Sequence, residues 1–162
     1  EVPELHQAIL QSYSEHYVEH SIHDVWFDGV AEMLQDLAAQ GIQLAVATGK
    51  SRKGLDRVLA QTKSHDIFVA TRAASETKSK PDPLMLSEIL SVVGVHPEQA
   101  IMVGDTSYDL EMAQNIRMPS VGVTYGVHDS HVLEKFNPIA LASDVTALHQ
   151  LLNHQIKLKE SA

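Results

Sequence analysis

Two aspartates follow a short apolar segment, and their type and spacing suit the binding of a metal ion. Asp105 comes directly after residues 101–103 and Gly104, and Asp109 follows four residues later, where apolar residues begin to recur with helical spacing. A strand, a tight turn and a helix in this order place both carboxylates at the carboxyl end of a strand, where parallel sheets bind ligands. Converging carboxylates repel each other unless a cation lies between them, and Mg²⁺ prefers such oxygen ligands. The alternative is that Asp105 and Asp109 are turn and helix-capping residues without a ligand.

A threonine, a glycine and a lysine in two other loops could bind a phosphate group. Thr48 follows an apolar segment, and its hydroxyl, with the backbone N–H of Gly49, could hold a phosphate oxygen at the start of a helix. Lys80 precedes a proline in a polar loop, where its compact charge could stabilise negative charge on a phosphate. The simpler interpretations are a helix N-cap for Thr48 and a solvated loop residue for Lys80. A nucleotide-binding loop is excluded because Leu44 stands where that motif needs glycine.

The composition indicates a globular protein with an acidic surface. Over 162 residues the formal net charge is −9, which disfavours nucleic acid and anionic membranes as partners. The sequence has no apolar segment of membrane-spanning length. It has no cysteine, which excludes disulfides, thiolate metal sites and a cysteine nucleophile and suits a reducing cytoplasm, the predicted location. An anionic substrate would have to be met by a local cation or a specific lysine, because the overall field repels it.

Apolar segments of strand length alternate with segments of helical periodicity along most of the chain. Strands are predicted at 42–47, 67–70, 101–103, 119–123 and 139–142. With helices between and around them, residues 26–162 are predicted to form a doubly wound, Rossmann-like parallel α/β sheet with helices on both faces. Right-handed crossovers would bring Thr48, the Lys80 loop and the two aspartates to one edge of that sheet. A helix from residue 3 to about residue 20 and a linker precede this unit, so residues 1–25 stand apart from it.

Taken in order, these loops resemble the motifs of the haloacid dehalogenase superfamily of phosphatases. The residues that carry the resemblance are Thr48 after a strand, Lys80-Pro81 before a helix, and Gly104-Asp105-Thr106-Ser107-Tyr108-Asp109 after a strand. The helix at 29–34 and the loop at 121–126 resemble its phosphoglycolate phosphatase-like branch. The resemblance implies that Thr48 binds the transferring phosphoryl group, that Lys80 neutralises it, and that Asp105 and Asp109 hold Mg²⁺. It also implies a small phosphorylated metabolite as the partner.

The sequence departs from this family at the nucleophile. The family uses the first aspartate of an Asp-x-Asp-x-Thr/Val motif near the N-terminus, and this sequence has no such motif. By resemblance, the strand that carries the motif lies at the centre of the sheet, between the strands that end at Thr48 and Asp105. Residues 1–25 resemble the remnant of the family's helical cap. We therefore expect an inactive piece of a longer phosphatase, which lacks the first, central strand and most of the cap.

The expected gap in the sheet would leave two inner strand edges with unpaired backbone groups, which burial makes costly. Another segment, a swapped second copy, or closure of the two strands on each other would fill it. Self-association through the gap is therefore one expected property of the chain.

The predicted function is that of a Mg²⁺-dependent phosphatase that acts on small phosphate monoesters through an aspartyl-phosphate. One alternative is a non-catalytic binding module, a pseudoenzyme on the same fold. Another is a phospho-receiver-like signalling domain. In such domains the acids precede the threonine and lysine in the chain, whereas in this sequence the threonine and lysine come first. Dehalogenase or phosphonate chemistry is a weaker rival, since dehalogenases do not need the metal pair. Phosphoglycolate is the family's default substrate, and sugar phosphates and nucleotides are equally compatible with these residues.

Overall fold

The computed structural model describes residues 26–160, in which five strands alternate with six α-helices. The strands are β1 Leu44–Thr48, β2 Phe68–Ala73, β3 Met102–Gly104, β4 Ser120–Val123 and β5 Ala140–Ala142. The α-helices are α1 Val30–Ala39, α2 Arg52–Thr62, α3 Leu84–Val93, α4 Ser107–Gln114, α5 Ser130–Leu133 and α6 Val145–Glu160. Short 3₁₀ helices lie at His65–Ile67, Pro97–Gln99 and Glu134–Phe136. A helix thus follows every strand, as the crossovers of parallel sheets require.

The strands form two parallel sheets within the described part of the chain. The first is the pair β1–β2, in which Thr48 lies opposite Ala73. The second has the order β3–β4–β5, and in it Val103 lies opposite Val121. Because every pairing is parallel, the helical crossovers return the chain to the same end, and the carboxyl ends within each sheet share one edge.

Helices cover both faces of the second sheet. On one face α1 and α6 pack against β4 and β5, and the buried residues there are Met33, Leu37, Val121, Val123, Ala142 and Leu148. On the other face α3 and α4 pack around a cluster of Met85, Leu86, Met102, Met112, Ala113 and Met118. Met102 joins the second cluster and Val103 borders the first, as expected for neighbouring strand residues that point to opposite faces. Helix α2 covers β1 and β2 through Leu55 and Leu59.

A cavity of about 840 Å³ lies between β1 and β3. It is lined by residues 44–47, by residues 101–103, and by apolar side chains of both helical layers, such as Leu37 of α1 and Ile89 of α3. Within residues 26–160, β1 and β3 do not pair with each other, so each turns a strand edge toward the cavity. Protein interiors have few voids larger than a water molecule, and this one is many times larger. Within the described residues, this cavity separates the edges of the two sheets.

The predicted fold class, a parallel α/β structure with helices on both faces, is confirmed. All five predicted strands are present, with bounds that differ by up to three residues. The sequence predicts Asp28 as the N-cap of a helix over residues 29–40, but α1 begins after Gly29, which has φ 87°, a backbone conformation that glycine adopts readily. The predicted helix and linker of residues 1–25 lie outside the described residues, so the proposed division of the chain stays a prediction. Among the described helices, none combines the length and apolarity needed to cross a membrane.

Candidate active site

The turn between β3 and α4 holds both predicted acidic residues, and a reciprocal capping arrangement fixes it. Thr106 is the N-cap of α4, and its hydroxyl accepts a hydrogen bond from the N–H of Asp109 at 3.3 Å. In return, Oδ2 of Asp109 accepts hydrogen bonds from the backbone N–H of Thr106 at 3.1 Å and from its hydroxyl at 2.8 Å. Asp109 is therefore a capping residue, as the simpler interpretation of the sequence stated, and this contact orients its other oxygen.

Gly104, the last residue of β3, allows this turn to be tight. A Cβ atom at this position would overlap the side chain of Asp109. Any other residue would therefore push the carboxylate away from the end of the strand. The glycine–aspartate pairing in the motif thus has a steric reason.

Lys80 and Asp109 form an ion pair between the two sheets. Nζ of Lys80 donates a hydrogen bond to Oδ1 of Asp109, and the two side chains are only 17% and 6% exposed. Because Lys80 follows β2 and Asp109 follows β3, the pair brings the carboxyl ends of both sheets to the same side of the molecule. The side chain of Asn115, at the end of α4, adds a 3.3 Å hydrogen bond to the carbonyl oxygen of Pro81. Lys80 is consequently a largely buried residue fixed by an ion pair and not a solvated one.

Asp105 has one carboxylate oxygen engaged and one without a hydrogen bond among the described residues. Its Oδ2 accepts a hydrogen bond from the backbone N–H of Val127 at 3.0 Å. Asp105 and Asp109 thus differ, since both oxygens of Asp109 are bound by protein groups. Of the two predicted metal ligands, Asp105 has the oxygen that could bind a cation directly.

Thr48 lies at the carboxyl end of β1 and does not cap the following helix. Ser51 takes that position, and its hydroxyl accepts a hydrogen bond from the N–H of Gly54 at 3.1 Å. The hydroxyl of Thr48 accepts a hydrogen bond from the N–H of Lys50 at 3.1 Å, within its own loop. The N-cap interpretation of Thr48 is therefore wrong. Gly49 is exposed beside it, with open space around its Cα.

The four predicted side chains share one edge of the fold but do not all touch. Lys80 and Asp109 are in contact, and Asp105 belongs to the same turn as Asp109. The N–H of Ala74 donates a hydrogen bond to the carbonyl oxygen of Lys50 at 3.0 Å, which ties the loop after β2 to the loop of Thr48. Thr48 ends β1, and the cavity separates β1 from β3.

An ion pair that the sequence analysis did not predict fixes the loop that carries Lys80. Arg52, at the start of α2, binds Glu76 through two hydrogen bonds, of 3.0 and 2.6 Å. This contact with the Arg52 guanidinium, together with the N–H of Ala73, lowers the pKa of Glu76 to about 2. The residues are 24 positions apart, so no local pattern could have revealed them.

Tyr125 lies close to the acidic side of the site. Burial raises the pKa of its hydroxyl, and the negative charges of Asp144 and Asp105 raise it further. The phenol therefore stays neutral at physiological pH and does not add a negative charge beside Asp105. Phe27 packs edge-on against its ring, with the centroids 5.1 Å apart.

The donor set fits Mg²⁺ in part. No cluster of three or more histidine, cysteine or acidic side chains that could hold a metal occurs within residues 26–160. Mg²⁺ is commonly bound by one or two carboxylates, water and substrate phosphate, so Asp105 with its available oxygen is sufficient as a protein ligand of that kind. Further ligands must come from water, from the substrate, or from a segment outside these residues.

These observations define a parallel α/β protein whose threonine, lysine and acidic turn lie at one sheet edge, and the comparison with protein families agrees with that class. Residues 1–123 match the family model described as haloacid dehalogenase-like hydrolase. The chain belongs to this family. Among its members it falls in the phosphoglycolate phosphatase-like branch, as its relatives indicate.

Two of the curated relatives show what the chain is similar to. The chain is 36% identical over 126 residues to the phosphoglycolate phosphatase of Thiobacillus denitrificans, a match that covers 76% of this chain and 56% of the relative. It is 29% identical over 143 residues to the pyrophosphatase PpaX of Halalkalibacterium halodurans, with 84% of this chain and 64% of the relative covered. The chain spans about half the length of the first curated relatives it matches, between 53% and 56%.

A solved structure confirms the fold. The chain superposes on a predicted phosphoglycolate phosphatase from Haemophilus somnus with a TM-score of 0.84, 23% identity, and coverage of 94% of this chain and 68% of that one. At this level of identity the likeness concerns the fold alone. The expected fold is therefore confirmed, and membership of the superfamily is confirmed separately by the family model.

Proposed function

We propose that the chain is part of a Mg²⁺-dependent phosphatase that hydrolyses small phosphate monoesters. The observation that carries this proposal is the buried ion pair of Lys80 and Asp109 beside Asp105, at the sheet edge where parallel α/β folds bind ligands. A cation site and a lysine so placed supply positive charge around a phosphoryl group, which is the main requirement of phosphoryl transfer.

Each residue has a separate task in this proposal. Asp105 would bind Mg²⁺ through Oδ1, and a bound metal would neutralise charge on the phosphate. Lys80 would bind a phosphate oxygen, oriented by Asp109, which holds its Nζ. Thr48 and the backbone of Gly49 would hold another phosphate oxygen at the end of β1. Asp109 was predicted as a second metal ligand, and its contacts favour the task of orienting Lys80.

The nucleophile would come from a strand that fills the cavity between β1 and β3. The two facing edges can pair with one further parallel strand, and the helical layers above and below give it apolar surroundings on both faces. A residue at the carboxyl end of such a strand would lie between Thr48 and Asp105. An aspartate there would attack phosphorus and form an acyl phosphate, which water then hydrolyses.

The substrate is proposed only as a class. A net charge of −9 gives no general attraction for anions, so the local charges of Lys80 and the metal must select a small phosphate group. Phosphoglycolate, sugar phosphates and nucleotides all present such a group, and the relatives include both phosphoglycolate phosphatases and a pyrophosphatase.

The test is to assay p-nitrophenyl phosphate hydrolysis with Mg²⁺, using this chain and a version extended at its N-terminus by the upstream coding sequence. We expect turnover from the extended chain and none from the chain alone, because metal and lysine without a nucleophile cannot form the acyl phosphate. Asp105→Asn in the extended chain should abolish the Mg²⁺-dependent turnover. Turnover by the chain alone would contradict the proposal that this chain lacks the nucleophile.

Size-exclusion chromatography with light scattering tests how the cavity is filled. If another part of the same polypeptide fills it, the extended chain will be a monomer. A dimer of this chain that becomes monomeric on extension would indicate that a second copy occupies the gap. A monomer of this chain with a closed sheet would contradict the proposed missing strand.

A further inference from the structure

The loop after β4 makes three hydrogen bonds with the acidic turn. The N–H of Val127 donates to Oδ2 of Asp105 at 3.0 Å, and the N–H of His128 donates to the backbone oxygen of Asp105 at 3.0 Å. In the other direction, Nδ1 of the His128 ring accepts a hydrogen bond from the N–H of Ser107 at 2.9 Å. The loop therefore holds the carboxylate, the backbone of the same residue and the first turn of α4.

Gly126 brings the loop close enough to make these contacts. A Cβ atom at this position would overlap both the Cβ and the Oδ2 of Asp105. The glycine is exposed, but a Cβ would point at Asp105 and not into solvent. A larger residue here would therefore displace the side chain of Asp105.

Val127 contributes its backbone and not its side chain. The side chain is 71% exposed, so packing does not explain the position of this residue. Its N–H fixes one oxygen of Asp105 and leaves Oδ1 without a hydrogen bond among the described residues. A carboxylate held in this way has one predetermined oxygen for a ligand, and such outer partners orient metal ligands in many sites.

We infer that Gly126, Val127 and His128 form a positioning element for Asp105, one that presents its Oδ1 to the metal. This inference rests on the proposed function in one respect, namely that Asp105 binds Mg²⁺. Loss of the Val127 N–H frees the carboxylate to rotate, and loss of the His128 acceptor loosens the turn that carries Asp105, so either change lowers the affinity for the metal. Removal of such an outer partner typically costs about 10- to 100-fold in metal affinity.

The experiment measures Mn²⁺ binding to the ¹⁵N-labelled chain by the paramagnetic broadening of its backbone amide signals. In the unchanged chain, signals of residues 104–107 and 126–128 should broaden first. Val127→Pro removes the N–H and should weaken binding at least ~10-fold. Val127→Ala keeps the N–H, alters only an exposed side chain, and should bind as the unchanged chain does.

A second pair of variants keeps the test valid if proline disturbs the loop. His128→Ala removes the acceptor for the Ser107 N–H and should weaken Mn²⁺ binding, whereas His128→Asn offers a carbonyl oxygen near the position of Nδ1 and should restore it. Thermal unfolding midpoints are measured alongside. Weaker Mn²⁺ binding with an unchanged unfolding midpoint supports the positioning role. If Mn²⁺ binding weakens only in variants whose unfolding midpoint also falls, the positioning role is contradicted.

Asp105→Asn separates failure of this inference from failure of the proposed function. If Asp105→Asn leaves Mn²⁺ binding intact, the metal role of Asp105 is wrong and both proposals fall. If it abolishes binding while Val127→Pro and His128→Ala bind normally, only the positioning element is refuted.

Discussion

The two sheets of this fold build their ligand edges in different ways. At the end of β3, residues around Asp105 are capped, paired and held by the neighbouring loop, and every residue of β4 beside them is buried. At the end of β1, the hydroxyl of Thr48 bonds, among residues 26–160, only within its own loop, and Gly49 is exposed. Under the proposed function, the metal side of the site would be preformed by the described residues, whereas the phosphate side would be completed by whatever fills the cavity.

The largest expected effect comes from breaking the one ion pair that, among the described residues, joins the two ligand edges. Lys80→Met leaves the 6% exposed Asp109 carboxylate without its cation, and it should lower the free energy of unfolding by about 3 kcal/mol, which urea denaturation would measure. Lys78→Met is the matched control, since Lys78 pairs with Asp82 while 68% exposed and should change stability by less than about 1 kcal/mol. Equal effects of the two variants would mean that Lys80 is an ordinary surface residue.

A pair of glycine substitutions compares the two edges directly. Gly104→Ala places a Cβ against Asp109 and should cost about 1–3 kcal/mol in unfolding free energy. Gly49→Ala meets nothing within 4 Å and should change it by no more than about 0.5 kcal/mol. Denaturation of both variants checks the difference, and a large cost at Gly49 would show that the β1 edge is as tightly built as the β3 edge.

Hydrogen exchange should distinguish the inner strands. Amides of β1 that point away from β2 face the cavity, and we expect them to exchange at least ~10-fold faster than amides of β4, which pairs on both sides. Exchange followed by NMR at single residues gives the rates. Slow exchange along both sides of β1 would show that a segment outside residues 26–160 already occupies the cavity.

The smallest effect concerns the ion pair of Arg52 and Glu76. The pKa of Glu76 is lowered from 4.5 to about 2, so its contribution to stability is present above pH 4.5 and is lost as the pH falls toward 2. The advantage of the unchanged chain over Glu76→Gln should therefore shrink below pH 4.5. Because Glu76 is about one third exposed, the effect is a small shift in unfolding midpoint, measured between pH 3 and 6. A difference that does not vary with pH would contradict the ionic origin.

Much of the fold could be predicted from the sequence because hydrophobic periodicity is a local signal. Strand and helix segments alternate clearly, and the parallel sheet follows from that order. The bounds of the strands were predicted less accurately. Strand β2 runs on to Ala73, because polar residues such as Arg72 interrupt the apolar pattern without ending the strand. The N-cap of α1 was predicted at Asp28, which is a good capping residue, but the next residue, Gly29, takes that position.

Candidate site residues could be predicted where side chains would carry the proposed chemistry, and not where the backbone would. Lys80, Asp105 and Asp109 could be identified by residue type and order. The roles of Val127 and His128 could not, because a backbone N–H that binds a carboxylate 22 residues away has no sequence signature. Likewise, Thr48 and Ser51 are equally good capping residues, and only the path of the chain decides between them.

The Lys80–Asp109 contact has a consequence for how a phosphate would bind and leave. Asp109 already compensates part of the charge of Lys80 and accepts a hydrogen bond from one of its three N–H groups, which leaves the others for a phosphate. If the chain is part of a phosphatase as proposed, part of the attraction for substrate would be cancelled in advance, and inorganic phosphate would be held less tightly for the same reason. Such a site would give up affinity in exchange for easier release of its product.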